Sequence, residues 1–173
     1  MKTSEAVAVI HRGIHREKEA ISAYIKFAKA VKDQKAKSVL INLADDEVGH
    51  MTKLEKHLVN ILRGQPWLLP KAEEIEAVAA VFASSAYPGM DIQIKGLEKV
   101  DEVRILEIAV EREIIANNFY LDLAAKATSA EAKEMFLSLA KEEELHMKIL
   151  RAEIDSLGQT GFWFDMQEFT MEK

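Results

Sequence analysis

The chain has 173 residues, a formal net charge of −6 and no cysteine, and glycine and proline together fill only ten positions. The lack of cysteine excludes disulfides, thiol nucleophiles, thiolate-bound zinc and a rubredoxin-type iron site. The lack of a basic tract argues against a nucleic-acid partner, and the scarcity of turn formers favours long helices over a many-stranded β fold. No signal-type segment or run of about 18 apolar residues occurs, so we expect one cytoplasmic domain over residues 1–173 without a membrane partner.

Apolar residues spaced three and four positions apart predict four long helices, the first with Ser4 as its N-cap. The predicted ranges are 4–31, 35–63, 101–126 and 129–157. Residues 64–100 are predicted to form a long crossover with a short extra helix, and residues 158–173 an aromatic tail that covers one bundle end. Two helical hairpins joined by a long crossover are typical of a ferritin-like four-helix bundle, and we therefore predict an all-α fold.

Six ionisable residues occupy helix positions that the neighbouring Ile, Leu and Val residues mark as buried. They are Glu17, Glu47, His50, Glu113, Glu143 and His146. A buried, unpaired charge costs several kcal/mol, and a domain has a net stability of only about 5–15 kcal/mol. Four carboxylates in one core therefore predict that cations lie among them.

An internal repeat relates the two halves of the chain, because identical residues recur at a spacing of 96 positions. The repeated pairs include Arg16/Arg112, Glu17/Glu113, Tyr24/Tyr120, Leu43/Leu139, Glu47/Glu143, His50/His146 and Leu54/Leu150. The same spacing serves both helix pairs. We therefore expect the two hairpins to be related by a pseudo-twofold axis, which brings two equivalent half-sites together.

The chemistry of each half-site follows from its Glu-x-x-His motif, Glu47 with His50 in the first repeat. Residues three apart project from one helix face, so the histidine can bind one ion while the glutamate reaches a second. Glu17 and Glu113 then serve as terminal ligands. Carboxylates and imidazoles without thiolate favour two Fe ions, with Mn or Zn as substitutes, and six protein ligands leave coordination positions open for water, O2 or peroxide.

Two tyrosines follow the terminal glutamates at two helical turns, about 10 Å further along each helix. Tyr24 and Tyr120 are candidates for a catalytic role as hydrogen-bonding partners of the metal ligands. The alternative is that each is a buried tyrosine whose hydroxyl is bonded for structural reasons.

Other polar residues near the motifs also allow two interpretations. Asp46 and Glu142, which precede the two motif glutamates, either contact a histidine or are solvated. His57 and Glu153 are related by the repeat spacing and are expected to form a polar pair on one side of the site.

With these motifs the chain resembles the rubrerythrin family of the ferritin-like diiron carboxylate superfamily. The resemblance covers residues 4–157 and rests on the two Glu/Tyr pairs and the two Glu-x-x-His motifs. It implies a diiron centre that reacts with peroxide or O2 under oxidative stress, in a homo-oligomer, which we expect to be a dimer. The chain departs from the family in its lack of a rubredoxin domain and in Val110, where the family carries a further glutamate.

We therefore expect a non-haem diiron oxidoreductase that reduces peroxide or O2 with oxidation of Fe(II). The electrons would come from an external donor protein or from Fe(II) itself. The alternative function is iron storage or buffering by a ferroxidase, as a ferritin-like subunit or as the cargo of a compartment. A third possibility is a metal-free helical interaction protein.

Overall fold

The structure is a computed structural model that describes residues 3–63 and 100–158. These residues form four α-helices with no β-strand element among them. The helices are α1 (Thr3–Ala30), α2 (Gln34–Leu62), α3 (Glu102–Lys126) and α4 (Ala130–Leu157). Every predicted helix boundary lies within one residue of the observed one, so the predicted helices are confirmed. The predicted crossover helix and aromatic tail fall outside the described residues.

The helix ends explain where the described helices start and stop. Asp33 caps α2 by accepting hydrogen bonds from two backbone N–H groups of the first turn, at 2.8 and 2.9 Å. Ser129 caps α4 through one such bond at 3.1 Å. Such caps stabilise a helix by about 1 kcal/mol each. The prediction of Ser4 as the N-cap of α1 is wrong, since the helix already begins at the preceding residue.

The four helices pack as two hairpins. α1 makes most of its contacts with α2, and α3 with α4, while narrower contacts join α2 to α4 and α1 to α3. Short connections at residues 31–33 and 127–129 link the helices of each hairpin. None of the helices in the two described stretches is both long and apolar enough to cross a membrane.

Two apolar clusters lie inside the bundle. The first includes Tyr24, Phe27, Leu40, Leu43, Leu106 and Leu150. The second includes Ile10, Leu54, Tyr120, Leu123, Phe136 and Leu139. Each of these six residues of the first cluster corresponds to one of the six of the second at the repeat spacing, so the pseudo-twofold operation exchanges the clusters. The axis therefore runs across the bundle, and the buried polar residues lie between two apolar regions, where each large side chain contributes about 1.5–3 kcal/mol on burial.

Two helical glycines differ in the space around them. A Cβ atom added to Gly13, which is buried in α1, would lie 3.0 Å from Cδ1 of Leu54 in α2. A Cβ atom added to Gly49, on the exposed face of α2, would meet no atom of the described residues within 4 Å. Gly13 thus allows a close approach between the helices of the first hairpin, whereas Gly49 has no comparable packing role.

This difference predicts opposite effects of the same substitution. Gly49→Ala should raise the free energy of unfolding by about 0.5–1 kcal/mol, because alanine loses less backbone entropy in a helix. Gly13→Ala has the same advantage but crowds Leu54, at a cost of about 1–3 kcal/mol, and should lower the free energy of unfolding. Urea denaturation of the metal-free variants measures both values. An equal gain at the two positions would contradict the close packing at Gly13.

Candidate metal centre

The structure brings all six predicted polar residues together in the middle of the bundle, each at most 4% exposed. They form two groups whose potential ligand atoms lie within 4.8 Å of one another. One group is Glu17, Glu47, His50 and Glu143, and the other is Glu47, Glu113, Glu143 and His146. Glu47 and Glu143 belong to both groups. Such sharing is what two adjacent ions with bridging carboxylates require.

The two histidines turn the same ring nitrogen toward the carboxylates. Nδ1 of His50 lies 2.9 Å from Oε2 of Glu47 and 3.3 Å from Oε1 of Glu143. Nδ1 of His146 lies 3.2 Å from Oε2 of Glu143. The two rings are stacked, with their centroids 5.5 Å apart. Both Nδ1 atoms therefore face the space that the glutamates surround.

The opposite ring nitrogens contact carboxylates outside the cluster. Nε2 of His50 lies 3.0 Å from Oε2 of Glu142, and Nε2 of His146 lies 3.4 Å from Oδ2 of Asp46. Asp46 and Glu142 thus contact the histidines and are also partly solvated, so each of the two interpretations holds in part. A carboxylate at Nε2 holds a proton there and leaves the Nδ1 lone pair for a metal ion. Lys53 holds Glu142 in place, with Nζ 2.6 Å from Oε1.

Both histidines are strongly basic in this environment. Burial disfavours the charged form of His50, but the carboxylates of Glu143 and Glu47 outweigh it and raise the pKa to about 10. Burial also disfavours the charged form of His146, but the carboxylates around it, above all Glu113, outweigh burial and raise the pKa to about 12. The metal-free cluster therefore holds both imidazoles in their protonated form at neutral pH.

The glutamates divide into two kinds. Burial raises the pKa of Glu17 and of Glu113 well above the ordinary range of a carboxyl group. Burial also opposes the charge of Glu47, but the neighbouring imidazoles of His146 and His50 outweigh this effect and lower its pKa. Protons thus balance the negative charge in the metal-free cluster. A metal ion has to displace these protons when it binds.

Several buried polar atoms at the centre have no hydrogen-bond partner among the described residues. They are the two carboxylate oxygens of Glu143 and Nδ1 of His146. Nδ1 of His146 and Oε2 of Glu143 are close to each other but are not aligned for a hydrogen bond. An unsatisfied buried group costs about 1–3 kcal/mol, which a cation bound between these atoms would offset. Two divalent cations would also neutralise the four carboxylates, so the donor set fits a metal pair.

The two tyrosines are placed differently. The Tyr24 hydroxyl donates a hydrogen bond to Oε1 of Glu113, a residue of the other hairpin. The Tyr120 hydroxyl is buried and has no partner within the part of the chain that the structure describes. Of the two hydroxyls, only that of Tyr24 donates a hydrogen bond to a candidate metal ligand among the described residues.

Two buried arginines next to the cluster were not predicted as site residues. Arg16 and Arg112 are 6% and 7% exposed and precede Glu17 and Glu113 in α1 and α3. The repeat spacing relates these two arginines, and this relation was the sequence signal that could have identified them. Their positions alone did not reveal a site, because arginine usually reaches solvent from the edge of a helix seam.

The predicted pairing of His57 with Glu153 is wrong. Oε2 of Glu153 lies 2.9 Å from Nζ of Lys35, whereas His57 lines a surface depression with Ile10 and Phe136. Because the pseudo-twofold axis runs across the bundle, a residue away from the centre and its repeat partner lie at opposite ends of the bundle. Residues at the centre, by contrast, meet their repeat partners.

The departure at Val110 is also visible in the packing. Its side chain is buried in the first apolar cluster. The two groups of potential ligands in the described residues contain no further carboxylate.

Comparison with known proteins supports the resemblance. The rubrerythrin family model matches residues 104–166, which confirms the resemblance over this part of the chain. The fold is similar to a hypothetical protein from Pyrococcus furiosus, with a TM-score of 0.61, 21% identity and 94% of each chain covered. It is also similar to a two-domain protein from Anabaena variabilis with DJ-1/ThiJ/PfpI-like and ferritin-like domains. There the TM-score is 0.65 at 15% identity, over 91% of this chain and 41% of that one.

These similarities establish the fold. The ferritin-like, all-α architecture predicted from the sequence is confirmed, since one of the two structures contains a ferritin-like domain. The search among curated proteins gave no match.

The sharing of two glutamates predicts unequal metal stoichiometries. Glu47→Ala and Glu143→Ala should lose both ions, because each residue belongs to both ligand groups, whereas Glu17→Ala and Glu113→Ala should lose mainly one. Metal analysis after dialysis of the Zn(II)-loaded variants measures this, with the exposed Glu107→Ala of α3 as the control that keeps both ions. Equal stoichiometry across the four cluster variants would contradict the assignment.

The basic histidines predict how the stability of metal-free protein depends on pH. A pKa raised from 6.5 to about 10 at His50 gives a stabilisation that is complete below about pH 6.5 and is lost as the pH rises through 10. His146 acts in the same direction. The melting temperature of metal-free protein should therefore fall across this range. Zn(II) should raise it more at the upper end, because metal binding requires deprotonated ligands; a metal-free melting temperature that rises with pH would refute this balance.

Proposed function

We propose that the protein is a non-haem diiron oxidoreductase that reduces peroxide or O2 with oxidation of Fe(II). The observation that carries the proposal is the pair of overlapping ligand groups that share Glu47 and Glu143. Six nitrogen and oxygen donors without thiolate suit iron, and Mn or Zn are the substitutes that such a donor set accepts. The match of residues 104–166 to the rubrerythrin family supports the same chemistry.

A bound iron pair supplies two electrons, the number needed to reduce peroxide to water. The protein residues would hold and orient this pair: Glu47 and Glu143 would serve both ions, while Glu17 and Glu113 would each bind mainly one. Asp46 and Glu142 would hold protons on the outer nitrogens of the two histidines, so that Nδ1 is the nitrogen that gives up its proton to a metal ion.

The surroundings limit the reaction to small oxidants. Apolar clusters on both sides of the ligand groups exclude bulk water, and the histidines are almost completely buried. The hydrogen bond from Tyr24 holds Glu113 in position from the opposite hairpin. Tyr24 is therefore a positioning residue for one half-site, and we assign Tyr120 no equivalent role.

We further propose that electrons come from an external donor protein or from Fe(II) itself, and that the protein acts against oxidative stress in the cytoplasm. Exposed apolar side chains on α2 and α4 support self-association as a homo-oligomer, and we propose a dimer. They include Ile41, Leu137 and Leu145.

The proposal predicts the outcome of a single-turnover experiment. Anaerobic protein loaded with two Fe(II) per chain, mixed with H2O2 or with O2 in a stopped-flow instrument, should be oxidised with one peroxide consumed per two Fe(II). Glu143→Gln should slow oxidation by at least about tenfold, because one bridging oxygen is replaced by a neutral amide. Glu107→Gln, an exposed change on α3, should react like the wild type.

The same experiment distinguishes the alternative function. An oxidoreductase should keep about two iron ions per chain after repeated additions of Fe(II) and oxidant, and should turn over again once reduced. Continued iron uptake into a large hollow assembly would instead establish storage. Failure of the Fe(II)-loaded protein to react with either oxidant would exclude both functions.

A further inference from the structure

Two buried arginines line one face of the candidate metal centre. Arg16 comes from α1 and Arg112 from α3, and the guanidinium carbon of Arg16 lies 4.6 Å from the centroid of the Phe119 ring. Stacking on the ring holds this guanidinium in place. Nε of Arg112 is buried and has no hydrogen-bond partner among the residues that the structure describes. At least one N–H group of Arg112 thus lacks an acceptor among the described residues.

The arginines line a cavity of about 20 Å³ between α1 and α3. Three repeat-related pairs surround it: Arg16 with Arg112, Glu17 with Glu113 and Ala20 with Ala116. Tyr24 and Glu47 also line it, so the cavity lies near the pseudo-twofold axis and contacts candidate ligands of both ions. The two small alanine side chains leave the space free. This volume is above the roughly 10–15 Å³ that one water molecule needs.

The guanidinium charges next to the cavity are unbalanced when metal ions are bound. Burial lowers the pKa of Arg16, and the nearby carboxylates of Glu17 and Glu143 oppose this effect by favouring its charged form. Two divalent cations would neutralise the four carboxylates of the ligand groups. The two guanidinium groups would then be left with a net charge of +2 next to the cavity, and a buried charge without a partner is costly. An anion in the cavity would offset that cost.

We propose that this cavity binds one small monovalent anion, of one to three heavy atoms, between Arg16 and Arg112 when the metal pair is bound. The inference rests on the proposed metal centre. Hydroperoxide has the required size and charge, so the site would place the conjugate base of the proposed oxidant against both half-sites. Guanidinium groups suit this task because they stay charged and present several donors in one plane.

Azide is the probe for this site, and Zn(II)-loaded protein allows a test without redox chemistry. Isothermal titration calorimetry should show one azide bound per chain of wild-type protein. Arg16→Met and Arg112→Met should each weaken azide binding by at least about tenfold, because each removes a charge within a few ångströms of the anion. Arg104→Met, at an exposed arginine of α3 that pairs with Glu107 and Glu111, should leave the dissociation constant unchanged.

A second variant tests the cavity without removing a charge. Ala116→Leu keeps both arginines and fills the space, so azide binding should be lost while two Zn(II) ions are retained. This variant decides the question if an arginine variant fails to fold. Azide affinity equal to that of the wild type in Ala116→Leu, or in both arginine variants with their metal retained, would overturn the proposal.

Metal content separates this inference from the proposed function. Wild-type protein that binds no pair of Zn(II) or Fe(II) ions would overturn both. A full metal pair together with azide binding that does not depend on Arg16 or Arg112 would overturn only the anion site.

Discussion

The whole structure depends on the repulsion among four carboxylates enclosed in an apolar bundle. Their oxygens lie within 4.8 Å of the neighbouring ligand atoms, where water cannot screen them. Positive charge has to be present in every state of the protein. In the metal-free state, protons on the histidines and terminal glutamates supply it together with Arg16 and Arg112. Metal ions that bind at this centre would therefore exchange with protons, and the affinity for metal would depend on the proton concentration.

The rest of the bundle is arranged to tolerate this polar centre. The two apolar clusters lie on either side of it, and their burial supplies stabilisation that the centre itself does not provide. Asp46 and Glu142 extend the polar network to the surface, since they are 57% and 36% exposed. The histidines are thus connected to solvent through carboxylates, whereas the arginine side holds the small cavity. The two faces of the centre have different chemistry.

Much of this arrangement was predictable from the sequence because two independent periodicities agree. The helical spacing places the six polar residues on buried faces, and the repeat predicts that they lie at the same level along the bundle. The helices and the ligand set could therefore be predicted. The direction of the pseudo-twofold axis could not be obtained from spacing alone, and the pairing of His57 with Glu153 was therefore wrong. The same limit applies to Arg16, whose burial depends on a contact with Phe119 from the other hairpin. Local patterns do not encode such contacts.

The exchange of equivalent residues between the hairpins also bears on the ancestry of the fold. Neither hairpin holds a complete ion site, because each ligand group takes residues from both, whereas two copies of one hairpin would assemble the entire six-residue set. A self-paired ancestral hairpin would have changed both half-sites with every mutation. Two copies joined in one chain are free of that constraint. The present differences, such as Lys53 opposite Ile149 at the repeat spacing and a bonded Tyr24 opposite an unbonded Tyr120 within the described residues, are where the copies have diverged.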